Sequence, residues 1–187
     1  MELQKRKMPR HPNYNYSTPG YYFITLCTKG KSKILGQIVG RGIPDAPLPV
    51  APLPCSERPG GRSLHMDAPH MVYSEYGKIA KNQLEYMSGF YANVILEKYV
   101  IMPNHIHMLI QIPGCFMVNG EDTGRENNLI SQYVGTFKRF CNKQFGHNVW
   151  QTSFHDHVIR GEKDYLKIWE YIDNNPQKWT LDCFYIE

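Results

Sequence analysis

The chain lacks any apolar run near the length of about 20 residues that a membrane-spanning helix needs, which speaks against a helical membrane span. It also lacks a C-x-x-C pair. The five cysteines, Cys27, Cys55, Cys115, Cys141 and Cys183, are odd in number and widely spaced, which fits reduced thiols and excludes a disulfide framework or a Cys-rich structural zinc site. None of them stands in a recognisable nucleophile motif. No G-x-x-x-x-G-K-[ST] loop is present, so no P-loop nucleotide site is expected. Behind the basic, polar start Met1-Glu2-Leu3-Gln4-Lys5-Arg6-Lys7 there is no apolar segment, so a signal peptide is not expected and a cytoplasmic location follows by default.

A length of 187 residues is that of one ordinary domain with a proper core, here taken as 1–187. The net charge of +4 permits a nucleic-acid partner without requiring one. Its distribution adds a basic arm (Lys5, Arg6, Lys7, Arg10, His11) and a second cluster at Lys138, Arg139 and Lys143; a solvated face explains either equally well. From about Gly36 to His70 the chain changes in kind. Repeated prolines through Ile43–Pro54, followed by Arg58-Pro59-Gly60-Gly61-Arg62, disfavour regular hydrogen bonding and read as an inserted loop.

The remaining pattern alternates strands and helices. Tyr21–Thr28 is dense in aromatic and β-branched residues and reads as a strand. Val72 to about Tyr91 has helical spacing at Ile79, Leu84, Met87 and Phe90, with Ser74 as N-cap. Asn93–Met102 and His105–Ile112 are two strands joined by a tight Pro103-Asn104 turn, hence antiparallel. Leu129–Phe145 is a second helix closed by Gly146. Val149–Arg160 is a fourth extended segment, and Asp164–Asn175 a third helix stopped by Pro176. This order predicts an α+β fold of the ferredoxin-like, split βαβ kind: an antiparallel sheet with helices on one face, plus a C-terminal helix. Such a fold does not by itself give a function.

Two constellations carry chemistry. In His105-Ile106-His107 the histidines point the same way, with Cα atoms roughly 6.5–7 Å apart, so both rings can lean onto one divalent ion. The turn before them suggests a site close to solvent. Two unliganded strand histidines are the plainer reading, but polar rings on an apolar strand need partners. On the last helix, Tyr165, Ile168, Trp169 and Ile172 form an apolar stripe at about 100° per residue, and Tyr171 and Asn175 stack one turn apart on its flank. A phenol nucleophile and an oxygen ligand would share that face; a boundary core residue and a helix terminator fit it too. His155-Asp156-His157 repeats the spacing with an acidic centre and reads as a decoy or a substrate-contacting strand.

Taken together, these stretches resemble the HUH single-tyrosine transposases, and among them the REP-associated tyrosine transposases. The resemblance rests on Tyr21–Thr25, Met102-Pro103-Asn104-His105-Ile106-His107, Phe137-Lys138-Arg139-Phe140, Trp150-Gln151 and Tyr171-Ile172-Asp173-Asn174-Asn175-Pro176, and leaves the Pro-rich block outside. It implies that His105, His107 and Asn175 bind Mg²⁺ or Mn²⁺ and that Tyr171 attacks a phosphate of single-stranded DNA, leaving a 5′-phosphotyrosine and a free 3′-OH for strand transfer. It implies hairpin or palindromic DNA as partner, contacted by Lys138, Arg139, Lys143, Arg160 and the arm, with Tyr14, Tyr16, Tyr21 and Tyr22 available to stack on bases. Relatives of this kind include swapped dimers and monomers, so a homodimer with a shared site stays open. A phenol, with pKa near 10, needs a metal or a basic neighbour to lose its proton. Two imidazoles suit Mn²⁺ or softer ions better than Mg²⁺, and the residues alone do not fix the metal. A histidine-triad hydrolase would need a third His where Leu109 stands. A domesticated, non-catalytic hairpin-binding relative is the other reading.

Overall fold

A computed structural model describes residues 18–40, 68–114 and 128–186. Its centre is a fully antiparallel four-stranded sheet. β1 (Gly20–Cys27) pairs on one side with β5 (His105–Ile112) and on the other with β6 (His155–Ile159), and β4 (Ile95–Met102) forms the far edge beside β5. A separate ribbon pairs β2 (Gly36–Val39) with β3 (His70–Tyr73). The helices are α1 (Glu75–Phe90), α2 (Leu129–Phe145) and α3 (Glu162–Asn174). This is the α+β, ferredoxin-like arrangement that the element order predicts.

The period-two alternation of β1 and β5 builds two cores. Tyr22, Ile24 and Leu26 with Ile106, Met108 and Ile110 face α1 and α2, where Leu84, Met87, Ile130, Val134 and Phe137 complete the larger cluster. Tyr21, Phe23 and Leu109 face the other way, against Tyr165, Ile168, Trp169 and Ile172 of α3. α1 and α2 therefore share one face of the sheet and α3 covers the other. Lys98 anchors α3, with its ammonium 2.6 Å from Asp173 and 3.9 Å above the Trp169 ring. Phe90, expected in the α1 stripe, is exposed.

Local signals account for the helix ends. Ser74 accepts from Gly77 N and Asn128 from Ser131 N, as N-caps do. Gly146 closes α2 at φ 74°, a left-handed conformation that suits a residue without Cβ. α3 has no side-chain cap but carries Glu162 and Asp164 in its first turn, where the helix dipole favours negative charge.

Three expectations need correction. The irregular stretch expected from Gly36 to His70 has regular ends, since Gly36–Val39 pairs with His70–Tyr73. Its Pro-rich middle lies outside the described residues, as do the basic arm, Tyr14, Tyr16, Cys55 and Cys115. Val72 and Tyr73, read as helical, belong to β3, and the helix begins only after Ser74. The long fourth strand is shorter, at His155–Ile159; Trp150 contributes a lone bridge to Thr28.

Gly77 sits where α1 meets the ribbon, and a Cβ there would run into the Leu35 carbonyl. Gly→Ala inside a helix normally gains about 1 kcal/mol, but this backbone neighbour is fixed by bonds from Ser74 N and to Pro103 O. Gly77→Ala should therefore cost about 1–3 kcal/mol as overpacking, read as a lower urea midpoint with unchanged slope.

Candidate active site

His105 and His107 lie on the α3 side of β5, in register with Cys27 and Thr25 of β1. They are 0% and 1% exposed, so the solvent-near position expected from the turn is corrected. What covers them is the chain after α3. A 3₁₀ turn at Trp179–Leu181 sends Asp182–Tyr185 back across the sheet. There the Phe184 ring lies 4.8 Å from His105 and 5.8 Å from His107. Asn104 Nδ2 donates to Phe184 O (2.9 Å), and Lys31 and Lys33 sit over the Phe184 and Tyr185 rings at 5.5 and 5.2 Å.

The hydrogen bonds define the ring nitrogens. Asn104 Oδ1, held outward by the bond its amide makes to Phe184, accepts from His105 Nδ1 (2.8 Å). His105 in its neutral form thus carries its proton on Nδ1 and offers the Nε2 lone pair. His107 Nδ1 contacts Thr25 Oγ1 at 2.8 Å, and the two Nε2 atoms are 2.9 Å apart. Phe23 stacks on the His107 ring. Burial pushes both histidines down, His105 to about 2, with His107 only partly compensated by Asp182.

Tyr171 and Asn175 reach the same place from α3. Tyr171 Oη lies 3.2 Å from His107 Nε2 and donates to Asp182 Oδ2 at 2.7 Å. Asn175 Nδ2 donates to the same oxygen at 2.7 Å. The nucleophile candidate and the histidine pair therefore meet within one chain.

Asp182 is the residue that the sequence pattern missed. It lies in the tail that reads only as short and aromatic, and no spacing links it to the histidines. Its carboxylate is 4.0 and 3.9 Å from the two Nε2 atoms, and Phe184 N donates to Oδ1 at 2.7 Å. Burial raises its pKa, but the neighbouring His107, Tyr171, Phe184 N–H and Asn175 outweigh that and hold it well below the usual carboxylate range. Burial and the bond to Asp182 push Tyr171 well above an ordinary phenol.

Among the described residues, His105, His107 and Asp182 form a group able to hold a metal ion, with ligand atoms within 4.8 Å of one another. The donor set fits a cation. Two imidazole nitrogens and a carboxylate oxygen converge, Asn104 and Thr25 brace the rings from behind, and the buried Asn175 Oδ1 has no hydrogen-bond partner. Two imidazoles and a carboxylate suit Mn²⁺ and its first-row neighbours and do not exclude Mg²⁺.

The expected DNA contacts are not brought together. The Lys138 ammonium donates to the carbonyls of Gln151, Thr152 and Ser153, folding the loop before β6. Arg139 and Lys143 are exposed on α2, on the far side of the sheet from Tyr171. Arg160 is exposed between β6 and α3. Tyr22 is fully buried and cannot stack on a base; Tyr21 packs edge-on against Tyr165. His155 is exposed in register with Thr25, two strands from His107, and His157 pairs with Asp164 at 2.8 Å. Burial pushes Cys27 to about 11 and Cys141 to about 12, so neither is a ready nucleophile.

No protein-family model matches the chain. An uncharacterised Haemophilus influenzae protein is 29% identical over 99% of this chain and 96% of its own length. A REP-associated tyrosine transposase of Escherichia coli is 32% identical over 44% of this chain, and the match spans 44% of that relative's length. A solved structure described as a REP-associated tyrosine transposase bound to a REP hairpin superposes with a TM-score of 0.57 at 18% identity, over 92% of this chain and 74% of that one. That last likeness is one of fold. No helix among the described residues is long and apolar enough to cross a membrane.

The buried histidines make stability depend on pH. The metal-free native state keeps both rings neutral where the unfolded chain, with histidine pKa near 6.5, takes up protons. The unfolded state binds more protons below that value, so stability is full above it and falls on acidification. Between pH 6 and 4 the loss from His105, pushed down to about 2, should approach about 1.4 kcal/mol per pH unit, with His107 adding to it in the same direction, measured by denaturant titration in a chelator. His105→Gln with His107→Gln should flatten the slope.

Proposed function

We propose that the chain belongs with the REP-associated tyrosine transposase-like proteins, which it resembles in sequence over part of its length and in fold, and that it cleaves and rejoins single-stranded DNA through Tyr171. The observation that carries this is the meeting of Tyr171 Oη with His107 Nε2 at 3.2 Å, beside a cation-ready His105, His107 and Asp182 group. His105, His107 and Asp182 would hold a divalent ion, with Asn175 Oδ1 as a further oxygen ligand. The ion would neutralise charge on the scissile phosphate and favour ionised phenol.

Tyr171 Oη would form a bond to phosphorus as the bond from phosphorus to O3′ breaks. The phenol proton, held toward Asp182 at 2.7 Å, passes to water, since that carboxylate is too weak a base to keep it, and the departing 3′ oxygen takes up a proton from water as a hydroxyl. The balance needs no other reactant, and the phosphotyrosine keeps the bond energy for rejoining. Since Tyr171 and the histidines meet in one chain, a single copy suffices for the chemistry, with or without dimer formation. Hairpin DNA is the proposed target, by likeness to the neighbour solved with a REP hairpin. Arg139, Lys143 and Arg160 would contact its phosphates away from the cut.

One observation favours a second reading, a hairpin-binding protein without turnover. Phe184 covers the histidine pair, so a phosphate reaches their Nε2 atoms only if the tail moves.

Incubation with single-stranded hairpin DNA and Mn²⁺ or Mg²⁺, followed by a denaturing gel, separates the two. Cleavage predicts a metal-dependent protein–DNA adduct that Tyr171→Phe abolishes while hairpin affinity changes less than about threefold, roughly 0.65 kcal/mol. An adduct retained in Tyr171→Phe would refute the nucleophile; tight binding without adduct favours the second reading. His105→Ala should lose the metal-dependent adduct, and full activity there would move the metal site elsewhere.

A further inference from the structure

Tyr171 meets solvent along a cavity of about 320 Å³ on the outer side of α3. Tyr171, Asn175 and Asp182 form its inner end; Lys167, Glu170 and Lys178 stand along its wall. Lys167 is one helical turn before Tyr171, so the two share a face, about 6 Å apart along the axis. Lys178 follows the helix end, where its N–H bonds to the Asn174 and Asn175 carbonyls at 3.0 and 3.2 Å and fixes that turn beside the cavity. Among the described residues Lys78, Lys81 and Lys98 pair with carboxylates within 4 Å, whereas Lys167 and Lys178 do not, Lys167 only lying near enough to Asp164 to help lower its pKa. Glu170 sits on the rim, and Asp182 is engaged by the phenol, the Asn175 amide and the Phe184 N–H.

The approach to the nucleophile is thus flanked by two ammonium groups that no carboxylate holds at ion-pair distance. The other approach, over the histidines, is closed by Phe184. The exposed cations of α2 lie across the sheet and cannot touch the phosphates next to one held at Tyr171. We infer that Lys167 and Lys178 seat the phosphate backbone of single-stranded DNA on the two sides of the phosphate that Tyr171 attacks. They are positioning residues, and the inference rests on the cleavage reading above. Two point charges on flexible stems contribute affinity and placement without reading bases.

The test uses the full chain, the hairpin substrate with its single-stranded flank and an unstructured oligonucleotide. Affinity for the oligonucleotide is measured against salt, and adduct formation against DNA concentration, for the wild type and for Lys167→Gln with Lys178→Gln. Losing two phosphate contacts should lower the salt slope by about 1.4, at about 0.7 per contact on single strands. The half-saturating DNA concentration should rise at least about tenfold, or 1.4 kcal/mol, with the saturated rate held within about threefold. Each single variant should lower the slope by about 0.7, which keeps the test usable if the double variant does not unfold cooperatively. An unchanged slope alongside normal wild-type adduct overturns the inference and leaves Tyr171 as nucleophile. A lowered slope with no adduct from the wild type keeps the groove as a phosphate seat and refutes cleavage instead.

Discussion

The eight-rung pairing of β1 with β5 is the constraint on which both cores and the site depend. Because side chains alternate, that register puts Ile106, Met108 and Ile110 against α1 and α2, and in the same stroke puts His105 and His107 toward α3. A slip of one residue would press two imidazoles into the apolar layer and turn three large apolar side chains toward the tail. The histidine geometry is thereby enforced by the burial of their neighbours. Thr25, opposite His107 on β1, supplies a hydroxyl to a ring that would otherwise have a buried nitrogen without a partner.

The cost of this arrangement is concentrated at Asp182. A carboxylate 9% exposed, beside two neutral imidazoles and a phenol, is tolerable because two side chains and one backbone N–H donate to it. The site still has acceptors in excess: two Nε2 atoms share at most one proton between them, and Asn175 Oδ1 has no donor. Such a cluster could hold a cation.

How far the sequence discloses this depends on the range of the interaction. α2 is legible to both ends, because its strong apolar period starts after a polar loop and is closed by Gly146. The strand His105–Ile112 is legible because it is an unbroken run after a turn, and the α3 stripe packs as its spacing requires. The β2–β3 ribbon is not, since four-residue strands held apart by a long intervening stretch are defined only by pairing with each other. Lys138 shows a different limit: composition cannot tell an ammonium that gathers three loop carbonyls from one that faces solvent. Asp182 is the hardest case. Nothing local marks it, and its role is created by the tail folding back over residues from β5 and α3.

The two candidate reacting partners open in different directions, and Asp182 couples them. It cannot accept the Tyr171 bond at full strength and also give its lone pairs to a cation. Burial first, and the bond to Asp182 second, hold the phenol protonated and above its ordinary pKa, where a phenol is a poor nucleophile. Whatever draws charge from the carboxylate weakens that hold and brings the phenol closer to ionisation. On the proposed reading, the same side chain would keep the tyrosine quiet in the metal-free state and would link its activation to cation binding. This follows from one oxygen atom serving two donors on α3, and it requires no movement of the sheet that carries the histidines.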